Sequence, residues 1–172
     1  MRGPLSLLIL FPYTDLMIDV KDIQSALEEY LSGRDDLYIV AVDVRAGNMI
    51  SITIDSDHDS ISLNTITALS HYIEERFDRD VEDYELTVTS AGLTSPLRLP
   101  RQYRKYIGEP ISVTLRSGGI EKGTLVAVDE EGFEMEVIRM EKHEGDKRRK
   151  GYPTPLHLTY NEVKTVVYDL KF

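Results

Sequence analysis

From Val20 onward, apolar residues recur at intervals of three and four, at Val20, Ile23, Leu27, Tyr30 and Leu31. That spacing lines one face of an α-helix, so the pattern predicts a helix beginning near Met17, with Gly33 as its C-terminal stop. The period then changes to two. Leu37 to Arg45 (LYIVAVDVR) and Met49 to Asp55 (MISITID) alternate with β-branched residues, and Gly47-Asn48 between them tolerates positive φ, which predicts an antiparallel hairpin. After an acidic loop, Ser62 is placed as an N-cap, with Ile61 and Ile66 flanking it as a hydrophobic staple. The stripe Leu63, Ile66, Leu69, Ile73 and Phe77 predicts a second helix, and Tyr84 to Thr89 a third strand. The expected order is α-β-β-α-β, two helices covering one face of a three-stranded sheet.

Beyond residue 108 the pattern consists of short strands: Ile111-Val113-Leu115, Leu125-Ala127, Phe133-Met135-Val137, Leu156-Leu158 and Val163 to Val167. Gly118-Gly119, Gly123 and Gly132 are expected to supply turns or bends between them. Five short strands with little helix predict a small closed or nearly closed β-barrel, an arrangement that removes exposed edges. Residues 139–152, RMEKHEGDKRRKGY, are mostly charged and predict a mobile loop. The resulting division is an N-terminal extension at 1–16, an α/β domain at 17–90, a junction at 91–108 and a barrel domain at 109–172. In the junction, Gly92 permits positive φ and Pro96 fixes its own, so the crossing is expected to be partly stiff.

Charge changes this picture by separating the two halves. The 172 residues carry a net charge of −10. Residues 1–89 hold 18 Asp/Glu against 6 Lys/Arg, a net of −12, whereas residues 90–172 hold 12 against 14, a net of +2. An acidic half is suited to basic protein partners and repels nucleic acid. With no Cys and no Trp, disulfides and thiolate metal sites are excluded, which points to a cytoplasmic protein. The apolar run Leu5 to Phe11 is too short for a membrane span, which takes roughly 20 residues, and lacks a signal-peptide cleavage pattern. Amphipathic patterning starts at Met17, which makes Met17 an alternative to Met1 as the translation start.

Candidate chemistry is sparse. Asp55, Asp57 and Asp59 in DSDHDS occupy the first, third and fifth positions of a calcium loop, but Ser60 stands where Gly is needed and Ile66 where a bidentate Glu is needed. A solvated loop preceding a helix N-terminus is the expected reading. His58, His71, His143 and His157 have no zinc-ligand spacing, and neither a GxSxG nor a P-loop occurs, so no catalytic, metal or cofactor site is expected. A hydrolase built on carboxylate pairs such as Asp35-Asp36 is the least supported class.

The basic clusters carry the remaining candidates. If Pro100 opens a helical turn, Arg101, Arg104 and Lys105 share one face, with Arg98 nearby and Tyr103 and Tyr106 interleaved. Such a face can contact phosphates and unpaired bases; alternatively it is solvated while its tyrosines pack on the barrel. Lys147, Arg148, Arg149 and Lys150 form the densest positive run, fit either for phosphates or for a solubilising loop tip.

The segment YELTVTSAGLTSPL, Tyr84 to Leu97, resembles the junction of the bacterial ribosome maturation factor RimP family through Val88, Ser90, Gly92, Leu93, Pro96 and Leu97, followed by Tyr103 and Gly108. The resemblance extends to ITID (Ile52 to Asp55), GTLVAVDEEG (Gly123 to Gly132) and LTYNEV, and spans roughly Met17 to Leu170. It implies an N-terminal α/β domain, a C-terminal SH3-like or Sm-like barrel, and a non-catalytic factor that binds the immature 30S subunit and assists its assembly. The partners implied are a basic ribosomal protein and 16S rRNA, met by a monomer with no membrane association. Ala91 departs from the family pattern, which has Pro there, and Thr94-Ser95 replaces an Asp-Arg pair. The alternative is an SH3-like peptide- or RNA-binding module unrelated to ribosome assembly, which requires a groove of clustered exposed aromatics.

Overall fold

The computed structural model describes residues 18–58 and 60–170. The extension at 1–16, both possible start methionines and Asp59 lie outside the described residues. The architecture is α+β, with three helices and two sheets among the described residues.

Helix α1 (Val20–Leu31) is capped by Asp19, whose carboxylate accepts from the Lys21 amide at 2.9 Å. It is followed by β1 (Leu37–Arg45) and β2 (Met49–Ser56), joined by the expected turn with φ of +79° at Gly47 and +51° at Asn48. Asn48 also ties the turn to the segment before the third strand, donating to Glu82 at 2.8 Å and to the Asp83 carbonyl at 3.1 Å. Helix α2 (Leu63–Arg76) starts at Ser62, whose hydroxyl accepts from the Thr65 amide at 3.1 Å. It carries the chain across to β3 (Glu85–Ser90), which lies parallel to β2, giving the order β1-β2-β3. Ile50, Ile52 and Ile54 of β2 point to the helices and meet Ile23, Leu27, Leu69 and Ile73 in one core. Leu63 departs from the expected stripe: it is 76% exposed, at the first residue of α2, while Leu69 and Ile73 of the same stripe are buried.

Helix α3 (Pro100–Lys105) precedes a second sheet made of β4 (Pro110–Leu115), β5 (Ile120–Val128), β6 (Gly132–Glu141), β7 (Lys150–Thr159) and β8 (Val163–Tyr168), ordered β7-β6-β5-β4-β8. The ladder does not close on itself, since β7 and β8 are both edges, so of the closed or nearly closed alternatives the closed one does not hold. Pro153 and Pro155 on β7 each remove an amide donor, which suits an edge strand. Edge β8 receives instead one bond from the junction, Leu97 N to Val166 O at 2.8 Å.

Two further expectations change. Residues 139–141 and 150–152 are strand rather than loop, with Arg139 opposite Tyr152 and Glu141 opposite Lys150. The outer end of that hairpin covers no core, so it lacks apolar alternation, while backbone pairing and opposite charges across the ladder remain available to it. Gly123 and Gly132 are not turns; they lie within strands where a Cβ would meet the Glu136 and Leu158 carbonyl oxygens at 2.1 and 2.2 Å.

The junction is sewn at both ends. The Ala91 amide donates to Ile54 O at 2.9 Å, extending the β2–β3 ladder, and Leu97 is buried in the second core. A proline at position 91, as in the family pattern, could not make that first bond. Gly92 is not at positive φ; its amide donates to Ser95 Oγ at 3.1 Å in a turn closed by Ser95 N to Gly92 O. Leu93 and Pro96 are exposed.

Candidate functional site

The cations singled out by sequence separate into three places. Pro100 opens α3 with its fixed φ, at a position where its lack of an N–H donor costs no helical bond, and Gln102 caps the helix from within: its Oε1 accepts from the Arg98 and Leu99 amides at 2.8 and 3.2 Å. Tyr103 and Tyr106 point into the second core, Tyr103 against Phe133 and Tyr160, and Tyr106 stacked on Tyr168. Burial pushes both hydroxyls above the usual tyrosine range. The interleaved tyrosines are therefore packing residues, and the opposite face of α3 is directed at the end of β2.

There the helix meets the acids of DSDHDS. Arg101 donates through Nε and Nη2 to both carboxylate oxygens of Asp57, and its Nη2 also donates to the Asp35 carbonyl. Its guanidinium lies 4.4 Å from the centroid of the Tyr38 ring. This two-pronged pairing holds the Asp57 carboxyl below its ordinary range. Asp55, only 6% exposed, accepts from Gln102 Nε2 at 3.0 Å, from Lys105 Nζ at 3.3 Å and from the Ser56 amide at 2.8 Å. Every polar atom of the Gln102 side chain is thereby paired although the residue is 1% exposed. The Tyr38 hydroxyl is buried beside these acids without a hydrogen-bond partner among the described residues. Burial first, and the nearby Asp55 and Asp57 charges second, raise its pKa well above the usual tyrosine value.

Arg101, Arg104 and Lys105 do line one cleft, of about 400 Å³, together with Asp57 and His58. All three are already paired, Arg104 with Glu130 at 2.8 Å. DSDHDS is thus not a solvated loop in its first half: Asp55 and Asp57 hold α3 against the first sheet. The clue in the sequence was complementary spacing, two acids two apart at a strand end and two cations four apart on a helix.

Arg98 lies outside this arrangement, exposed and without an ion pair among the described residues. Its cleft, also about 400 Å³, contains Arg116 and Lys164, with Tyr103 and Tyr160 in its wall. Sequence reading missed Arg116, Lys164 and Tyr160, which are isolated along the chain and converge only through the β4–β8 pairing. Lys147, Arg148 and Arg149 sit exposed between β6 and β7, while Lys150 begins β7 and pairs with Asp146 at 2.6 Å. Asp146 is held below the ordinary carboxylate range by Lys150 and by the Tyr152 hydroxyl.

A family model described as the RimP N-terminal domain matches residues 27–94. A protein of Porphyromonas gingivalis strain W83, ribosome maturation factor RimP, is 40% identical over 151 residues, covering 88% of this chain and 98% of that protein. The chain belongs to the RimP family. Proteins of the same name from Christiangramia forsetii and Flavobacterium psychrophilum are 34% identical over 105 residues and 30% over 135, covering 68% and 84% of their lengths. The identity with the Porphyromonas RimP protein runs through both sheets, so the family assignment applies beyond the part matched by the N-terminal model. In this member the resemblance segment ITID ends in Asp55, the residue that receives both Gln102 and Lys105.

Proposed function

We propose that this protein is a non-catalytic ribosome maturation factor that binds the immature 30S subunit in the cytoplasm and assists its assembly. The observation that carries this reading is the 40% identity to a RimP protein over nearly that protein's whole length. The geometry supports two differently charged faces. Residues 74–85 carry seven acids against Arg76 and Arg79, and both arginines are already held, by Glu29 and Glu74. That face suits a basic ribosomal protein, with attraction that speeds encounter and weakens with salt. The cations of the second half that are unpaired among the described residues suit rRNA. The SH3-like or Sm-like character of the second sheet belongs to the same reading, as does action as a monomer.

The peptide-module alternative loses support from the burial of Tyr103, Tyr106 and Phe133, which a peptide groove would need on its surface. The test is co-sedimentation with precursor and mature small subunits at low salt, alongside subunit profiles of cells lacking the protein. Preferential binding to the precursor and accumulation of immature subunits are expected. Absence of both would overturn the proposal.

A further inference from the structure

Two clefts of similar size each contain three of the chain's basic residues. In the cleft beside α3 the cations face acids in direct contact. The other is lined by Leu97, Arg98, Tyr103, Arg116, Tyr160 and Lys164 among others, with no acidic side chain in its lining among the described residues. Arg98, Arg116 and Lys164 are all exposed and make no ion pair among the described residues. The neighbouring Glu162 is not part of that lining, and its carboxylate accepts from the Thr159 amide and hydroxyl at 2.8 Å. In a protein of net charge −10, an acid-free concavity with three solvated cations is an anion site by its electrostatics.

From this we infer that the cleft between α3 and β8 binds single-stranded RNA, with Arg98, Arg116 and Lys164 on successive phosphates and the Tyr160 ring as the surface for an unpaired base. Tyr160 is braced for this: its ring packs edge-on to Tyr103 with centroids 5.3 Å apart, and its hydroxyl donates to the Asp129 carbonyl at 3.0 Å. A fixed aromatic next to cations matches RNA, whose bases stack while its phosphates pair. An acidic peptide would use the cations but has no need of the ring. The inference rests on the ribosome-assembly reading for its biological setting, and it deepens that reading by assigning the RNA contact to this cleft.

The experiment uses the full chain and a uridylate hexamer as probe. Three phosphate contacts on a single strand predict a slope of about −2 for log affinity against log salt. Arg98→Glu, Arg116→Glu and Lys164→Glu together are expected to weaken binding by at least about ten-fold at low salt, with an unchanged melting curve because none of the three side chains makes an ion pair among the described residues. Ultraviolet crosslinking should place the uridine adduct on Tyr160. Undetectable hexamer binding, unchanged affinity in the triple variant, adducts mapping elsewhere, or a polyglutamate peptide binding as tightly as the RNA would each overturn the inference. Co-sedimentation is run in parallel. Particle binding with an unaffected triple variant rejects the cleft and leaves the assembly role standing; hexamer binding at the cleft without particle binding rejects the assembly role and keeps the cleft.

Discussion

The cleft beside α3 and the cleft beside β8 have the same number of cations and nearly the same volume, yet they differ in what those cations can do. In the first, Arg101 and Lys105 close the distance between α3 and the end of β2 by pairing with Asp57 and Asp55. In the second, Arg98, Arg116 and Lys164 face solvent. A basic cluster read along the chain therefore says little about affinity for phosphate until the acids around it are located. Cations held by acids set geometry, and solvated cations remain available to a partner.

The comparison breaks most readily at Gln102. Substituting Gln102→Leu would orphan two backbone amides and take one donor away from the buried Asp55 carboxylate, and each unsatisfied buried group costs about 1–3 kcal/mol. A loss of about 3 kcal/mol in urea-induced unfolding is expected, with the side-chain volume nearly conserved. A loss below 1 kcal/mol would show that the α3 seat contributes little to holding the two sheets together.

Gln102 also shows where sequence reading reaches its limit. Ser62 as a cap, Gly47-Asn48 as a turn and the alternation of Ile50, Ile52 and Ile54 were legible because their causes lie within a few residues. The partner of Arg101 lies 44 positions away, and nothing local distinguishes a paired arginine from a free one. The same limit hid the strand ends at 139–141 and 150–152, where pairing persists without a core to impose alternation. It also hid Arg116 and Lys164, which meet Arg98 only after β4 and β8 pair. The open ladder was illegible for a related reason: strand count does not specify whether the last edge is paired.

A smaller effect is expected at the ion pair itself. Arg101 and Asp57 are 38% and 32% exposed, so solvent screens them and the loss on Arg101→Ala should be about 1.5 kcal/mol, including its contact with the Tyr38 ring. A double-mutant cycle with Asp57→Ala should return a coupling of about 1 kcal/mol. The sign with pH follows from the lowered pKa of Asp57: its contribution is present above its ordinary value near 4 and is lost as pH falls through the lower folded-state value. Stability of the wild type should therefore decline more steeply below about pH 4 than that of Arg101→Gln. Parallel curves would remove the pair from the account of the seat.

The smallest effect on stability, and the sharpest contrast, is expected at the β6–β7 turn. Lys147, Arg148 and Arg149 are exposed and unpaired among the described residues, so reversing all three to Glu should change unfolding free energy by no more than about 0.5 kcal/mol. Lys150 is left intact because it holds Asp146. If this run is a phosphate-binding arm, the reversal weakens co-sedimentation with precursor subunits and flattens its salt dependence, because fewer counterions are released on binding. If it is a solubilising tip, binding is unchanged while the β8-cleft variant still loses affinity. Reversal of Arg101 and Lys105 should do the opposite of the first outcome, lowering stability before any effect on binding can be assigned, since each new carboxylate would face Asp57 or Asp55 across the seat.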